Sequence, residues 1–441
     1  MTSYETMTLM TLLIAGPASL AACVDHSCED LANCETDSGG AGTGAGAVGG
    51  AGGTQTGQGG AGTGVGGTGG AGGNGGSGGG TPSCVVDFSL GAGHTCAVKG
   101  DGTLWCWGDN TYGELGIGST TNQTQPVQVT GAGQNVARVA LGWDHTCALG
   151  DDSTLACWGR NIYGQLGDGT TQDKTTPNAI AALGSSVVEI DLGTSHTCGV
   201  IDDGTARCWG RNSSGQLGNG NEVDQASPVA VQGVPSPIAS IALGQFAGQG
   251  SASHTCAVGG DGFAWCWGNN SLGQLGVPGS DGSPAAVSGL GSGVTELGLG
   301  DRHTCARKND GTVWCWGDNT YGQLGDGTTT SSGTPVQATA VGAVDGISAG
   351  SDHNCALLAN GSLWCWGRNS SGQLGDGTTS DKSVPVEVLT SGITAVSLGA
   401  SHSCVRTSDD DLLCWGSNGS GQLGDGTTET KTSPVASSLC P

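Results

Sequence analysis

Positive charge is scarce in this sequence. Its 441 residues hold 13 Lys and Arg against 38 Asp and Glu, a formal net charge of −25. Affinity for a phosphate backbone needs clustered Lys and Arg, so nucleic acid is excluded as a partner. Anionic membrane surfaces are disfavoured for the same reason. Phe and Tyr number only 3 and 4, and no heptad or 3.6-residue apolar period runs through the chain, which argues against a helix-rich core. Apart from Leu9 to Ala22, no stretch is apolar enough to suggest a membrane helix, and that one is too short to span a bilayer. Catalytic motifs are missing as well. There is no phosphate-cradling Gly-Lys-Ser/Thr loop, no nucleophile elbow and no His-Glu metal motif. No catalytic residue, cofactor or metal is therefore expected. The runs matching G-x-G-x-x-G lie in a Gly-rich stretch, not between a strand and a helix, and carry no weight.

What the chain does have begins with Leu20-Ala21-Ala22-Cys23, placed directly after the apolar run. Small residues before a Cys resemble the bacterial lipobox, in which the Cys is lipidated and becomes the mature N-terminus. No Lys or Arg precedes the run, which departs from that pattern, and an ordinary cleaved signal peptide is the alternative. The expectation is a lipoprotein signal peptide over 1–22, lipidation of Cys23, and export to the cell envelope with attachment only through the lipid. Residues 23–37 form an acidic segment carrying Cys28 and Cys34. Residues 38–83 are almost entirely Gly, Ala, Thr and Ser. Such a stretch buries too little apolar surface to offset ordering entropy, and as a flexible tether it would reach on the order of 35–40 Å.

From 84 to 441 the chain repeats itself. His-x-Cys recurs at His94, His145, His196, His254, His303, His353 and His402, at intervals of 51, 51, 58, 49, 50 and 49 residues. Seven copies near a period of 50 indicate a propeller or solenoid. Within each copy, short apolar segments are separated by Gly, Asp and Pro, which read as strands and turns. Three to four strands per copy, closed in a ring, predict an all-β, seven-bladed β-propeller. The strings G-x-x-H-T-C-A, D-G-T-x-W-C-W-G-x-N and G-Q-L-G resemble the repeat of the regulator of chromosome condensation (RCC1) family. The paired Cys and the exported context set this chain apart from eukaryotic members that act on the small GTPase Ran. They place it nearer secreted bacterial relatives, which include inhibitors of β-lactamases. The resemblance implies a propeller that binds other proteins; guanine-nucleotide exchange follows from the family name alone.

Each copy holds two Cys ten positions apart: Cys96 and Cys106, Cys147 and Cys157, Cys198 and Cys208, Cys256 and Cys266, Cys305 and Cys315, Cys355 and Cys365, and Cys404 and Cys414. The midpoint is Asp or Asn, followed by Gly in five copies, which suits a three-residue hairpin loop ending in a left-handed residue. The two Cys then face each other at a Cα separation of about 4.5–5.5 Å, a distance a disulfide tolerates. Zinc is the alternative, but His94, Cys96 and Cys106 would supply only three ligands per copy. Of the 19 Cys, Cys23 is assigned to lipid. Cys28 and Cys34 are close enough to pair, and Cys84 and Cys440 would meet where the ring closes, leaving no free thiol.

A residue found in every copy serves the blade, not a ligand. The recurrent His reads as a buried hydrogen-bonding group at a strand end. Trp107 and its six counterparts read as packing between blades, and Asn110 and its counterparts as turn residues. Asp168, Asp326, Asp376 and Asp425 could be taken for Ca²⁺ ligands, but the full spacing of a Ca²⁺ loop is absent. Specificity is expected where copies differ. The fourth copy carries seven additional residues between Gly244 and His254, including Phe246. The same turn holds Trp143 in the second copy and Asp301 with Arg302 in the fifth. Tyr112, Tyr163 and Tyr321 precede G-x-L-G where other copies have Ser or Leu. Aromatics and Arg on a rigid scaffold are common interface anchors. The expected activity is protein binding by a monomer, inhibition being one form of it. The alternative is a carbohydrate-binding or enzymatic propeller with its site in the central channel. That would require acidic residues breaking the sevenfold pattern near the axis, and none is evident at this level.

Overall fold

A computed structural model describes residues 84–440, apart from 134, 246–252, 280–281 and 340. The signal segment, Cys23, Cys28, Cys34 and the Gly-rich stretch lie outside the described residues.

Seven four-stranded antiparallel sheets follow one another along the chain. The first blade comprises β1 (Asp87–Leu90), β2 (His94–Val98), β3 (Leu104–Gly108) and β4 (Gln123–Val129). The first strands of neighbouring sheets touch one another in a closed cycle, that of blade 1 meeting those of blades 2 and 7. They therefore line the axis. The fourth strands form the rim, where most side chains are half-buried or exposed. This is a seven-bladed β-propeller.

The repeated residues explain the blades. In blade 1 the Gly102 N–H donates to the Lys99 carbonyl and the Lys99 N–H to the Thr103 carbonyl, closing a three-residue loop. Its last position is left-handed: Gly102 has φ 77°, and where Gly is replaced, Ser153 and Asp410 adopt φ 61° and 65°. The Asp101 carboxylate braces the turn by accepting from the Thr103 N–H and hydroxyl. That loop sets a register in which Cys96 faces Cys106.

The same register sets Cys147 against Cys157, Cys198 against Cys208 and Cys256 against Cys266. It likewise sets Cys305 against Cys315, Cys355 against Cys365 and Cys404 against Cys414. All seven pairs are disulfides with Cα atoms 4.1 Å apart. The expected separation is thereby corrected downward, because a covalent bridge across facing positions draws the two strands together. Both sulfurs of each pair are consumed in the bond, which leaves Cys106, Cys157, Cys208, Cys266, Cys315, Cys365 and Cys414 buried in the blades as scaffold. Cys84 bonds Cys440.

Blades are joined by the Trp and His of each copy. Trp158 is fully buried among Leu115, Val129 and Val139, and its Nε1 donates to the Glu114 carbonyl of blade 1 at 2.9 Å. The second Gly of G-x-L-G permits this approach. A Cβ on Gly116 would lie 2.6 Å from the indole nitrogen of Trp158, at a φ of 71°. The seven His form a ring of hydrogen bonds from blade to blade. Each Nε2 meets the residue after the His of the next copy, from His94 with Thr146 at 2.9 Å round to His402 with Thr95 at 3.0 Å. Every one of those partners also donates to the carbonyl of the G-x-L-G residue x. A hydroxyl has one proton and an amide oxygen only accepts, so each imidazole must donate from Nε2. Nδ1 is then a bare acceptor, buried and without a partner in all seven.

Candidate binding face

In each blade the turn between strands one and two lies on the same face as the long connection between strands three and four. The Asp109 N–H donates to Gly93 O, Arg160 N–H to Asp144 O and Asp318 N–H to Arg302 O. The sequence-selected residues with described positions thus share one face. Within the long connection, the Asn110 amide oxygen accepts from the Leu115 N–H while its Nδ2 donates to Ser119 and Thr121 carbonyls. The buried Asn holds the loop that presents Tyr112.

The tyrosines are not isolated rings. Each lies beneath an Arg of the following blade. The Arg160 guanidinium sits 4.5 Å over Tyr112, Arg211 5.0 Å over Tyr163 and Arg368 4.8 Å over Tyr321. Carboxylates hold two of these guanidiniums: Arg160 Nη1 is 3.0 Å from Asp144 and Arg368 Nη1 is 3.2 Å from Asp352. A cation stacked on a partly desolvated ring contributes on the order of 0.5–2 kcal/mol, so these pairs clamp joints and present planar surface together. The Arg and Asp members were missed from sequence. The residue before the invariant Asn was the available signal, being Arg in copies two, three and six only.

Trp143 is half-buried, and its N–H donates to Gly193 of the next blade's turn at 3.3 Å. Arg302 keeps a side chain 42% exposed, with Nε 3.4 Å from Asp301. Asp301 itself is buried, 2% exposed. It is therefore corrected from a surface anchor to a residue that positions Arg302 from below. Phe246 lies outside the described residues. The residue before it, Gln245, donates from Nε2 to Leu141 O two blades away at 2.8 Å.

Where the Tyr–Arg pair is replaced by Ser214 and Asn269, between blades 3 and 4, a groove of about 400 Å³ opens, lined by Ser213, Glu222, Asn270 and Ser271. The Asp168 carboxylate has protein donors. It accepts from the Thr170 N–H and hydroxyl and from Asn161, with Lys174 3.5 Å away. Asp326, Asp376 and Asp425 accept from Thr328, Thr378 and Thr427 in the same way. These are turn braces.

The axis also holds acids that the sequence reading overlooked. Asp87, Glu189 and Asp191 lie on inner strands and accept the N–H groups of Val139, Ile241 and Leu243, each on the next blade's inner strand. Burial raises Asp87 to about 8 and Glu189 to about 7, against which the backbone donors pull. Asp191 is raised well above the ordinary carboxylate range, again by burial. The positions seven and five before each His would have shown them: Asp87 and Ser89, Glu189 and Asp191, with Arg138 and Glu296 in other copies. Their bonds make them stitches between inner strands.

The RCC1 repeat model, described as the regulator of chromosome condensation repeat, matches residues 101–149, 154–200, 203–248, 261–307, 310–357 and 360–406. Each match runs from the second half of one blade's hairpin into the next blade, so the six cover six joints, and the seventh joint is divided between the chain's ends. A second model of the same repeat matches 85–114, 136–165, 187–216, 294–323, 344–373 and 393–422, passing over the copy with the insertion. The Ultraviolet-B receptor UVR8 of Arabidopsis thaliana is 37% identical over 192 residues, 43% of this chain and 42% of that protein. The E3 ubiquitin-protein ligase HERC2 of Homo sapiens is 32% identical over 222 residues, 48% of this chain and 4% of that protein. The chain thus spans less than half the length of these relatives. Among solved structures, yeast RCC1 (Prp20) bound to Kap60 superposes with a TM-score of 0.66 at 20% identity, covering 75% of this chain and 82% of that one. Human WBSCR16 gives 0.63 at 24%, covering 72% and 85%; both likenesses concern the fold. With the family's repeats matched over most of the propeller, the chain belongs to the regulator of chromosome condensation (RCC1) repeat family.

Proposed function

We propose that this protein is an exported, lipid-anchored propeller that binds another protein through the face carrying Trp143, Arg302 and the Tyr–Arg stacks, and that it is not an enzyme. The observation that carries this reading is the gathering, on one face, of residues that differ between copies. Sevenfold positions are consumed by the scaffold, whereas Trp143, Arg302, Tyr112 and Gln245 stand on loops of this one face. Aromatic and Arg side chains held by a rigid frame make interface anchors at small entropic cost. Among proteins of this fold, yeast RCC1 has been seen bound to Kap60, which supports protein binding as a use of the fold. The test is capture from envelope and culture proteins by the wild-type chain, repeated with a Trp143→Ala/Arg302→Glu variant. A specific partner should be lost from that variant and retained by Phe263→Ala, which alters a hairpin tip on the opposite face. Removal of residues 246–252 should also weaken capture without lowering the melting temperature. Equal capture by all variants would remove this face from consideration.

The anchor has its own test. Cys23→Ser should move the protein from the membrane to the soluble fraction when it is made in a bacterium. Wild-type protein that is fully soluble and carries no lipid mass would end the lipoprotein reading.

A further inference from the structure

Every blade is built from four consecutive strands, so blades 1 and 7 share no strand. Six joints are backed by the covalent chain passing from one blade to the next. The seventh has the same noncovalent contacts: His402 with Thr95, Trp107 donating to Gln422 O at 3.0 Å, and Gly426 N–H donating to Thr124 O. In place of a connecting peptide it has the Cys84–Cys440 disulfide, which links positions 356 residues apart. The hairpin cystines are inaccessible, their Cys being 0–2% exposed. Cys84 and Cys440 are only partly buried.

We propose that Cys84–Cys440 is a redox latch: the cystine of the described domain that an external thiol reaches in the folded state, and whose reduction loosens one joint while leaving every blade stapled. Thiol–disulfide exchange requires in-line approach of a thiolate to sulfur, so access selects the site. With a dithiol reductant, one thiolate attacks Sγ and forms a mixed disulfide, releasing the other Cys. The second reductant thiolate then attacks the reductant sulfur of that mixed disulfide and expels the remaining protein Cys as a thiolate. The protein gains two thiols and the reductant leaves as a cyclic disulfide. The joint so released covers a core of Val85, Phe88, Leu90, Trp107, Leu412 and Leu423, which reduction would make available to solvent or to a partner.

The experiment treats the full chain with low-millimolar dithiothreitol at neutral pH, quenches with iodoacetamide and maps the label by peptide mass. Label should appear at Cys84 and Cys440 at least tenfold faster than at the fourteen hairpin Cys. Hydrogen exchange should rise in Leu104–Gly108 and Leu412–Gly416, but not in Val313–Gly317 of blade 5. A Cys84→Ser/Cys440→Ser variant should melt roughly 5 °C lower than the oxidised protein and show no further drop with the same reductant. Labelling of hairpin Cys at an equal rate, protection of Cys84 and Cys440, or a variant melting with the wild type would each overturn the latch.

Discussion

Trp316→Ala is expected to lower stability by roughly 3–5 kcal/mol, the range for truncating a large buried aromatic. Trp316 is fully buried, and its ring packs against Leu275, Val287 and Leu297 at the joint of blades 4 and 5. Its Nε1 donates to Gln274 O at 2.9 Å. That carbonyl also receives the Thr304 hydroxyl, so the substitution orphans no acceptor and the loss is chiefly packing and cavity. Neighbouring elements cannot collapse into the void, because the hairpin disulfide Cys305–Cys315 fixes the strand that carries it. Phe263→Ala is the control: that ring is 36% exposed at a hairpin tip, and a change within about 0.5 kcal/mol is expected. Denaturant unfolding of both variants with disulfides intact decides the matter. A Trp316→Ala protein as stable as Phe263→Ala would mean that the indoles do not hold the joints.

The repeat made much of this legible in advance. Trp316, Cys305 and His303 stand at fixed offsets in all seven copies, and a sevenfold column has few explanations other than the blade. Hairpin register followed from the Asp-Gly turn, which also put Cys opposite Cys. Relations between copies were harder to read. Arg160 and Tyr112 belong to different repeats, and nothing local to either announces that one stacks on the other. The inner-strand acids were hidden for a different reason. Asp87 and Asp191 sit in short apolar runs, DFSL and VVEIDL, where strand alternation reads as core, and the N–H groups they accept come from the next copy. Asp301 shows the converse error. A charged residue in a turn reads as exposed, but the turn lies where neighbouring blades' loops meet, its own N–H donating to Ser351 O.

The same histidine ring makes stability depend on pH with a definite sign. Burial lowers His94, His145, His196, His254, His353 and His402 from 6.5 to about 3, and His303 in the same direction. The cause is visible in the hydrogen bonds: Nε2–H is used, and a proton on Nδ1 would be a buried charge with no acceptor. A base whose folded pKa is depressed contributes stability that is whole above 6.5 and is lost as pH falls, because only the unfolded chain takes up the proton. At pH 5 this amounts to about 2 kcal/mol for each His with a value near 3. Buried acids act oppositely. Asp87 and Glu114 are raised to about 8 and Glu189 to about 7, with Asp191 raised too, all chiefly by burial. Their contribution is whole below about 4 and is lost as pH rises through those values. Near pH 5 the depressed imidazoles outnumber the raised carboxyls, so stability falls as the pH falls, by about 1.4 kcal/mol per pH unit for each proton in excess. Near pH 7.5 the imidazoles' contribution is whole and no longer changes with pH, and the carboxyls reverse the slope. The melting temperature should therefore peak between about pH 6 and 7, with an acid limb steeper than the alkaline one. His94→Gln, which keeps a donor for Thr146 without titrating, should flatten the acid limb by about 1.4 kcal/mol per pH unit while leaving the alkaline limb in place. Thermal melts from pH 4 to 9 on both proteins measure this. A wild-type profile flat between pH 7 and 5, or an unchanged acid limb in His94→Gln, would show that the ring accepts protons without opening.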